Sequence, residues 1–530
     1  MALKASELNV GDVYEKEIVN NLTRTQIVQY AGASGDYNPV HTDELYTREI
    51  AGYPTVFAHG MLSMGMTGAM LIALTLPLTF YMDPLNAIIL LTSMYVGAIS
   101  GGLITATLLR MPGTPAAVMT TFDGYPMARG GRPGRALGLG ITASFVGGLI
   151  SWITLATITK PLSIIATRFG PFEYFTLIMM AMVLIASVSE GTLAKGLISG
   201  LLGMLISMPG VDPATGMPRL TFDWYMLNGG LKLLPVLIGV FAVSQIIKDA
   251  LDIGKIPERI TMSSKGMLMS VRDFLKQGVN LIRSSLIGTW VGILPGIGAS
   301  IGSVIAYTAA KNMSKTPEQF GTGSEEGIVA SEAANNATVG GALIPLIAMG
   351  IPGSVIDAIL IGALMIHSIQ PGPTLFLTNA DIVWGMIAAC LIANILMWVL
   401  MTSSVKYIAG LMYLPRSFVL PVVMVFCLIG SYALNNTMFD VWVMLIFGVL
   451  GFLMECAKIP LGPFVIGFVL APLAEEKLRS GLMMTAGDFS PIFTRPLPLI
   501  FTILAVLLLL WPIVGDWMRS RKAAGKQESK

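Results

Sequence analysis

Two groups of residues in this sequence could do chemistry, and the chemistries differ. Near the N-terminus, Asp36 and His41 sit close together in Ala33-Ser-Gly-Asp36-Tyr-Asn38-Pro39-Val-His41, followed by Pro54-Thr-Val-Phe-Ala-His59-Gly60. A carboxylate and an imidazole held near each other can divide general base and general acid work on a water molecule. Backbone N–H groups at the start of a following helix can hold a developing oxyanion, and the Pro54 to Gly60 turn is the candidate. Read as a loop alone, Asp36 to His41 is an Asx-Pro turn before a helix.

The second group has no acid–base pair. It consists of apolar runs cut by Pro-Gly steps: Met111-Pro112-Gly113-Thr114, Leu294-Pro295-Gly296-Ile-Gly298 and Ile351-Pro352-Gly353-Ser354. A continuous membrane helix needs no Pro and Gly together at mid-span, whereas a broken helix exposes backbone N–H and C=O groups to a solute. Between the last two breaks lies Glu332-Ala-Ala-Asn335-Asn336. Asn side chains and unwound carbonyls suit Na+, and helix N-terminal N–H groups suit a carboxylate. The candidate solute- and ion-binding residues are therefore Thr105, Thr107, Pro112, Gly113, Pro295, Gly296, Gly298, Asn335, Asn336, Pro352, Gly353 and Ser354. Na+ is expected near Asn335 and Asn336, and no structural metal is expected. Plainer roles stay open: glycine-rich helix packing for the first break, and helix–helix hydrogen bonds for the Asn pair. His367, alone in an apolar run, reads as a packed, hydrogen-bonded histidine.

The elements that must position these residues follow from composition. The chain has 530 residues, of which 54% are hydrophobic and 12% charged, and its mean hydropathy is +0.73. That is the composition of a polytopic membrane protein. The net charge of +2 carries no nucleic-acid signal, and Cys390, Cys427 and Cys456 lie in apolar runs without metal spacing. The N-terminal stretch MALKASELNVGDVYEKE lacks an early apolar core, so no secretory leader is expected. Charge is dense in the first 50 residues and sparse afterwards, and no Asp, Glu, Lys or Arg occurs from Ile50 to Met82. Gly60 to Met82 is long enough to cross a bilayer. The linker from Lys248 to Arg283 is rich in Lys and Arg, as is the tail from Arg519 to Lys530. Both are expected in the cytoplasm. On either side of the linker the chain repeats one plan: an uncharged span, a glycine-rich segment, a Pro-Gly break and a charged loop. The fold class expected is an all-α polytopic membrane protein with an internal repeat and Pro-Gly-broken helices, preceded by a small α/β piece. The divisions are 1–70, 71–247, 248–283, 284–515 and 516–530.

From about residue 71 onward the sequence resembles the large permease subunit of tripartite tricarboxylate transporters, the TctA family. The resemblance rests on Leu294 to Gly298, on Gly-x-Gly-x-x-x-Gly from Gly321 to Gly327, and on Glu332 to Ala337. It is extended by Gly350 to Ser354, Gln370-Pro-Gly-Pro373, and the first break with Asp123-Gly124-Tyr125 after it. The family normally opens with its own first span and a Leu-Pro-Gly-x-Gly motif, and this chain has none before Pro112. Residues 1–70 resemble a truncated MaoC-like hot-dog hydratase, on Asp36, His41 and Ala58-His59-Gly60. Most strands that a hot-dog sheet needs after its helix are missing, because the chain runs directly into an apolar span.

The first resemblance implies a multi-pass permease of the bacterial inner membrane, with its C-terminus in the cytoplasm. It implies uptake of a tricarboxylate or other carboxylate driven by an ion gradient, Na+ or H+, without a cofactor. The partners implied are a small membrane subunit (TctB-like), a periplasmic solute-binding protein (TctC-like), the carboxylate solute and the lipid bilayer, with no nucleic acid. No Walker motif is present, so ATP is not bound in that way. The alternatives are a membrane-anchored (R)-specific enoyl-CoA hydratase using Asp36 and His41, or a non-functional chimera of the two. The expectation is a transporter in which the hydratase-like piece is inactive.

Overall fold

The computed structural model describes residues 75, 79, 82–108, 110, 114–188, 192–212, 215–251, 266–295, 298–411, 416–433 and 436–510. The expected hot-dog piece at 1–70 and the basic tail at 516–530 lie outside these residues, as do Asp36, His41, Pro112, Gly113 and Gly296. All described residues belong to the unit Met61–Lys530.

These residues form an all-α body. In chain order the helices are α1 (Pro84–Leu108), α2 (Val118–Arg129), α3 (Pro133–Ala166), α4 (Pro171–Val188) and α5 (Leu193–Ile206). Next come α6 (Leu233–Leu251), with a π-helical middle, α7 (Val271–Ile293), α8 (Gly298–Met313), α9 (Glu325–Met349) and α10 (Val355–Ile366). The series ends with α11 (Ala380–Leu411), α12 (Arg416–Ala433), α13 (Met438–Cys456), α14 (Leu461–Met484) and the apolar α15 (Pro496–Leu510). The sheet structure described is one antiparallel ribbon, Gly210–Val211 against Pro218–Arg219. Side-chain ion pairs tie it to α14, Arg219 to Glu475 and Arg479 to Asp212.

Five of these helices are long and apolar enough to cross a membrane: α1, α3, α6, α11 and α13. The outer faces of α3, α11 and α13 carry exposed large apolar side chains, such as Ile164 and Ile165, Leu396 and Leu400, and Ile446 and Leu453. Water would reject such a surface and hydrocarbon accepts it. The helix α7 starts inside the stretch 248–283, so part of that linker is helical.

The centre is occupied by α9, although its sequence holds Glu332, Asn335 and Asn336. Every residue from Gly327 to Ala348 is buried. Lipid supplies no hydrophobic drive between helices, so this burial requires close backbone contact. Glycine provides it on two sides. From α3, a Cβ on Gly147 would stand 2.1 Å from the Ala333 carbonyl oxygen. From α7, a Cβ on Gly288 would stand 2.2 Å from that of Ala334, and one on Gly292 would stand 2.6 Å from that of Thr338. The helix α8 folds back along α7: Gly302 faces Gly288, and Met313 Sδ lies 3.2 Å from Arg283 Nη1. The Pro295 step thus lies at the turn of a helical hairpin.

Two polar clamps hold this centre. The guanidinium of Arg135 on α3 binds Glu325 of α9 through two N–H···O bonds of 3.0 Å, and it reaches Asp273 of α7 at 2.7 Å. That contact holds the Asp273 carboxyl well below the usual carboxylate range. The forked geometry suits Arg and not Lys. Asp123 on α2 is fully buried. Its Oδ1 accepts from the N–H groups of Gly321, Gly323 and Ser324 at 2.9, 2.9 and 2.7 Å, and its Oδ2 accepts from Tyr307 at 2.8 Å. Gly321 and Gly323 have φ of +92° and +113°, which lets consecutive N–H groups converge on one oxygen. Gly327 leaves room for the carboxylate, since a Cβ there would be 2.1 Å from Oδ2. The motif Gly321 to Gly327 is therefore the socket for an aspartate from the other half of the chain.

Asp123→Ala should leave these donors without an acceptor. Each buried unsatisfied donor costs roughly 1–3 kcal/mol, so a clear fall in the melting temperature of the detergent-purified protein is expected. Asp123→Asn, which keeps one acceptor oxygen, should fall less.

Candidate functional site

The helices flanking the second and third expected breaks pack on α9, while Pro112 and Gly113 of the first lie outside the described residues. Before the second, α7 ends at Leu294, whose backbone is extended, and the buried Pro295 follows. Gly298, with φ of +70°, starts α8. Before the third, α9 ends at Gly350, with φ of +72°. A Cβ on Gly350 would stand 2.9 Å from the Pro371 carbonyl oxygen, so the chain can turn there only with glycine. Pro352 and Gly353 are buried, and Ser354 is half-buried. Gly353 lies against the hairpin: a Cβ on it would stand 2.9 Å from the Gly292 carbonyl oxygen and 2.8 Å from the Ala342 side chain. The third break therefore packs against the last turn of α7, three residues before Pro295.

The turn Pro115–Ala117, which follows the first break in sequence, packs on α8 and α9. Thr107 and Thr114 flank that break. Both hydroxyls are buried without a hydrogen-bond partner, and they face the glycines Gly124 and Gly102. Thr105 differs. Its hydroxyl donates to the Gly102 carbonyl of its own helix at 3.1 Å.

The two asparagines have separate surroundings. Asn336 Oδ1 accepts from Ser100 of α1 at 2.6 Å, and its Nδ2 donates to the Glu332 carbonyl at 3.3 Å. This is an interhelical hydrogen bond, the plainer of the two expected roles. Asn335 shares a face of α9 with Ser331 and Glu332, as the helical repeat requires. Thr120 of α2 meets that face, bonding both side chains. The Asn335 amide lies beside the Glu332 carboxyl, near enough to favour its charge, but neither of its amide atoms reaches hydrogen-bond geometry with any partner, and it is fully buried. Glu332 is satisfied, accepting from Thr120 at 2.5 Å and Ser144 at 3.1 Å.

A narrow cleft beside Asn336 is lined by Val96, Ser151, Trp152, Gly340, Cys390 and Asn394. Its free volume of ≈ 10 Å3 has room for roughly one water molecule. Sequence reading missed Ser100, Tyr95, Thr114 and Asp357. Tyr95 of α1 touches Ser354, hydroxyl to hydroxyl at 3.0 Å. Asp357 is fully buried in the first turn of α10, and neither of its oxygens has a partner. The spacing Ser354-x-x-Asp357 was a signal for it, being that of a capping box. Nothing in sequence marks Ser100 or Tyr95, which are placed by how α1 packs.

The model of the family described as tripartite tricarboxylate transporter TctA matches residues 51–466. The chain belongs to the TctA family. It is a multi-pass membrane component of a tricarboxylate transporter. A MaoC-like domain model matches residues 6–80. The two matches overlap over residues 51–80, a run without Asp, Glu, Lys or Arg. The TctA match also starts earlier than residue 71 and stops short of the C-terminus. Among relatives, an uncharacterized 52.8 kDa protein in the TAR-I ttuC' 3' region of Agrobacterium vitis is 35% identical over 426 residues, covering 80% of this chain and 85% of its own. An uncharacterized protein in the TAR-II ttuC' 3' region of the same organism is 35% identical over 210 residues, covering 40% and 87%. No solved structure matches the chain.

The asparagines give a test of their separate roles. Asn336→Ala removes the acceptor of Ser100 and should cost about 1 kcal/mol of stability. Asn335→Ala removes no protein hydrogen bond and should leave the melting temperature of the purified protein unchanged or raised. Equal losses in both variants would contradict this division.

Proposed function

We propose that the chain is the translocating subunit of a binding-protein-dependent, ion-gradient-driven carboxylate transporter. The observation that carries the reading is the packing of the Pro352-Gly353 break against the last turn of α7, just before Pro295, beside a buried helix that holds the unpartnered Asn335 amide. Helix ends aimed at one place in a membrane protein supply N–H groups for an anion and carbonyls for a cation. In this reading the carboxylate lies at the N-terminus of α10, near Gly353 and Ser354. Na+ or H+ is taken up close to it, with the Asn335 amide and the Thr107 and Thr114 hydroxyls as further polar contacts. The cleft is too small for a tricarboxylate, so passage requires the surrounding elements to part, as alternating access does.

The energy is a gradient, and no cofactor takes part. The partners are a TctB-like small membrane subunit and a TctC-like periplasmic binding protein that delivers the solute. The protein lies in the bacterial inner membrane, and its basic C-terminal tail is cytoplasmic by the charge rule. The polar centre and the family together favour transport over catalysis for residues 84–510. A second reading has its own support in the MaoC-like match at 6–80. It would give hydratase activity on an enoyl thioester that depends on Asp36 and His41.

Proteoliposomes holding this chain and the small subunit should take up a tricarboxylate only when the binding protein and an imposed ion gradient are both present. ATP should have no effect. Uptake should persist after deletion of residues 1–58, and Gly353→Ala should abolish it by pushing the third break away from α7. Uptake without the binding protein would remove that dependence from the proposal. Measurable enoyl-CoA hydration that disappears in His41→Ala would establish the second reading.

A further inference from the structure

The helix starts of α7 and α10 share one sequence device and differ in one bond. At α7, Ser270 and Asp273 form a closed capping box. Ser270 Oγ accepts from the Asp273 N–H, and Asp273 Oδ2 accepts from the Ser270 N–H at 3.1 Å and the Ser270 hydroxyl at 2.7 Å. At α10, Ser354 Oγ accepts from the Asp357 N–H at 3.3 Å, but the return bond is absent. The Asp357 carboxyl lies near enough to the Ser354 N–H and hydroxyl to feel both, but neither reaches hydrogen-bond geometry, and both of its oxygens are buried. The Ser354 hydroxyl is instead 3.0 Å from the Tyr95 hydroxyl of α1.

An ionised carboxylate without a hydrogen bond or counter-charge is not tolerated in a membrane interior. Among the described residues, none forms an ion pair with Asp357. The ionisable groups that feel its charge are Tyr95 from α1 and Cys390 from α11, neither of them a cation at neutral pH. The helices α6, α9 and α14 also pack on α10, and they supply no ion-pair partner. The half-open box is therefore the arrangement of a neutral acid.

We propose that Asp357 is the proton-carrying group of this transporter and that its box is the latch. With the proton on an Asp357 oxygen, the box is open and Ser354 is tied to Tyr95 of α1. When the O–H bond breaks and the proton leaves to water, the carboxylate closes on the Ser354 N–H and hydroxyl, as Asp273 does on Ser270. Ser354 then leaves Tyr95. Because Ser354 ends the Ile351-Pro352-Gly353 break, the proton decides whether that break is tied to α1 or only to its own helix. This inference rests on the transport reading of the same site.

The test uses the full chain in lipid vesicles. Infrared difference spectra between acidic and alkaline buffer should show a carboxylic C=O band replaced by a carboxylate band, and Asp357→Asn should lack that pair of signals. If Asp357→Asn does not fold, Asp357→Glu should keep the pair at shifted frequency. Ser354→Ala should move the transition to higher pH, because the carboxylate loses a donor. In the complete transporter, acceleration of uptake by an inward proton gradient should be lost in Asp357→Asn. The inference is overturned by a wild-type spectrum whose carboxyl signals survive Asp357→Asn unchanged. It is also overturned if Na+ at fixed acidic pH displaces the proton signal, which would make the site one for sodium. Failure of the wild-type transporter to exchange carboxylate between its two sides would sink the transport reading itself, whatever the spectra show.

Discussion

A polar helix must be sealed inside a bilayer, and everything else in the described structure answers to that constraint. The helix α9 carries a glutamate and two asparagines that lipid would not accept. It is accepted because Gly147 on one side, and Gly288 and Gly292 on the other, let α3 and α7 approach to backbone contact along Ala333, Ala334 and Thr338. Dispersion between the close backbones and short interhelical hydrogen bonds hold the helices there, and these are the forces left to helices in lipid. Glu332 and Asn336 are then satisfied by hydroxyls from α1, α2 and α3.

The same sealing brings the third break to the end of α7. The hairpin of α7 and α8 and the stretch from Gly350 to Ser354 are both folded against α9, so Gly353 meets the last turn of α7 at Gly292. Polar atoms left without partners remain on or beside this centre: the Asn335 amide, the Thr107 and Thr114 hydroxyls and the Asp357 carboxyl. A structure that satisfies Glu332 and Asp123 so completely, yet leaves these open, separates the polar groups that hold the body from those without a protein partner. Asp123 belongs to the first kind. Its socket of three N–H groups and a phenol binds the first half of the chain to the second.

Sequence by itself determined the class of molecule. Composition and the charge gap from Ile50 to Met82 required membrane helices, and the Pro-Gly pairs required breaks, because neither residue sustains a helix at those positions. The motifs around Pro295, Asn335 and Pro352 marked the region that forms the centre. Sequence also marked Gly321 to Gly327 as a motif without revealing its purpose, since the aspartate that fills it lies far away in the chain.

Only the tertiary structure decided which polar groups are spent and which are free. Asn335 and Asn336 are neighbours in sequence and look alike, but a helix turns each residue by about 100° from the last, so one meets Ser100 and the other has no partner. Ser270-x-x-Asp273 and Ser354-x-x-Asp357 have the same spacing. One box closes beside Arg135, and the other stays open in an apolar pocket against Tyr95. Hydrogen bonding depends on what neighbouring helices place within about 3 Å, and that is a property of packing that residue types and spacing do not contain.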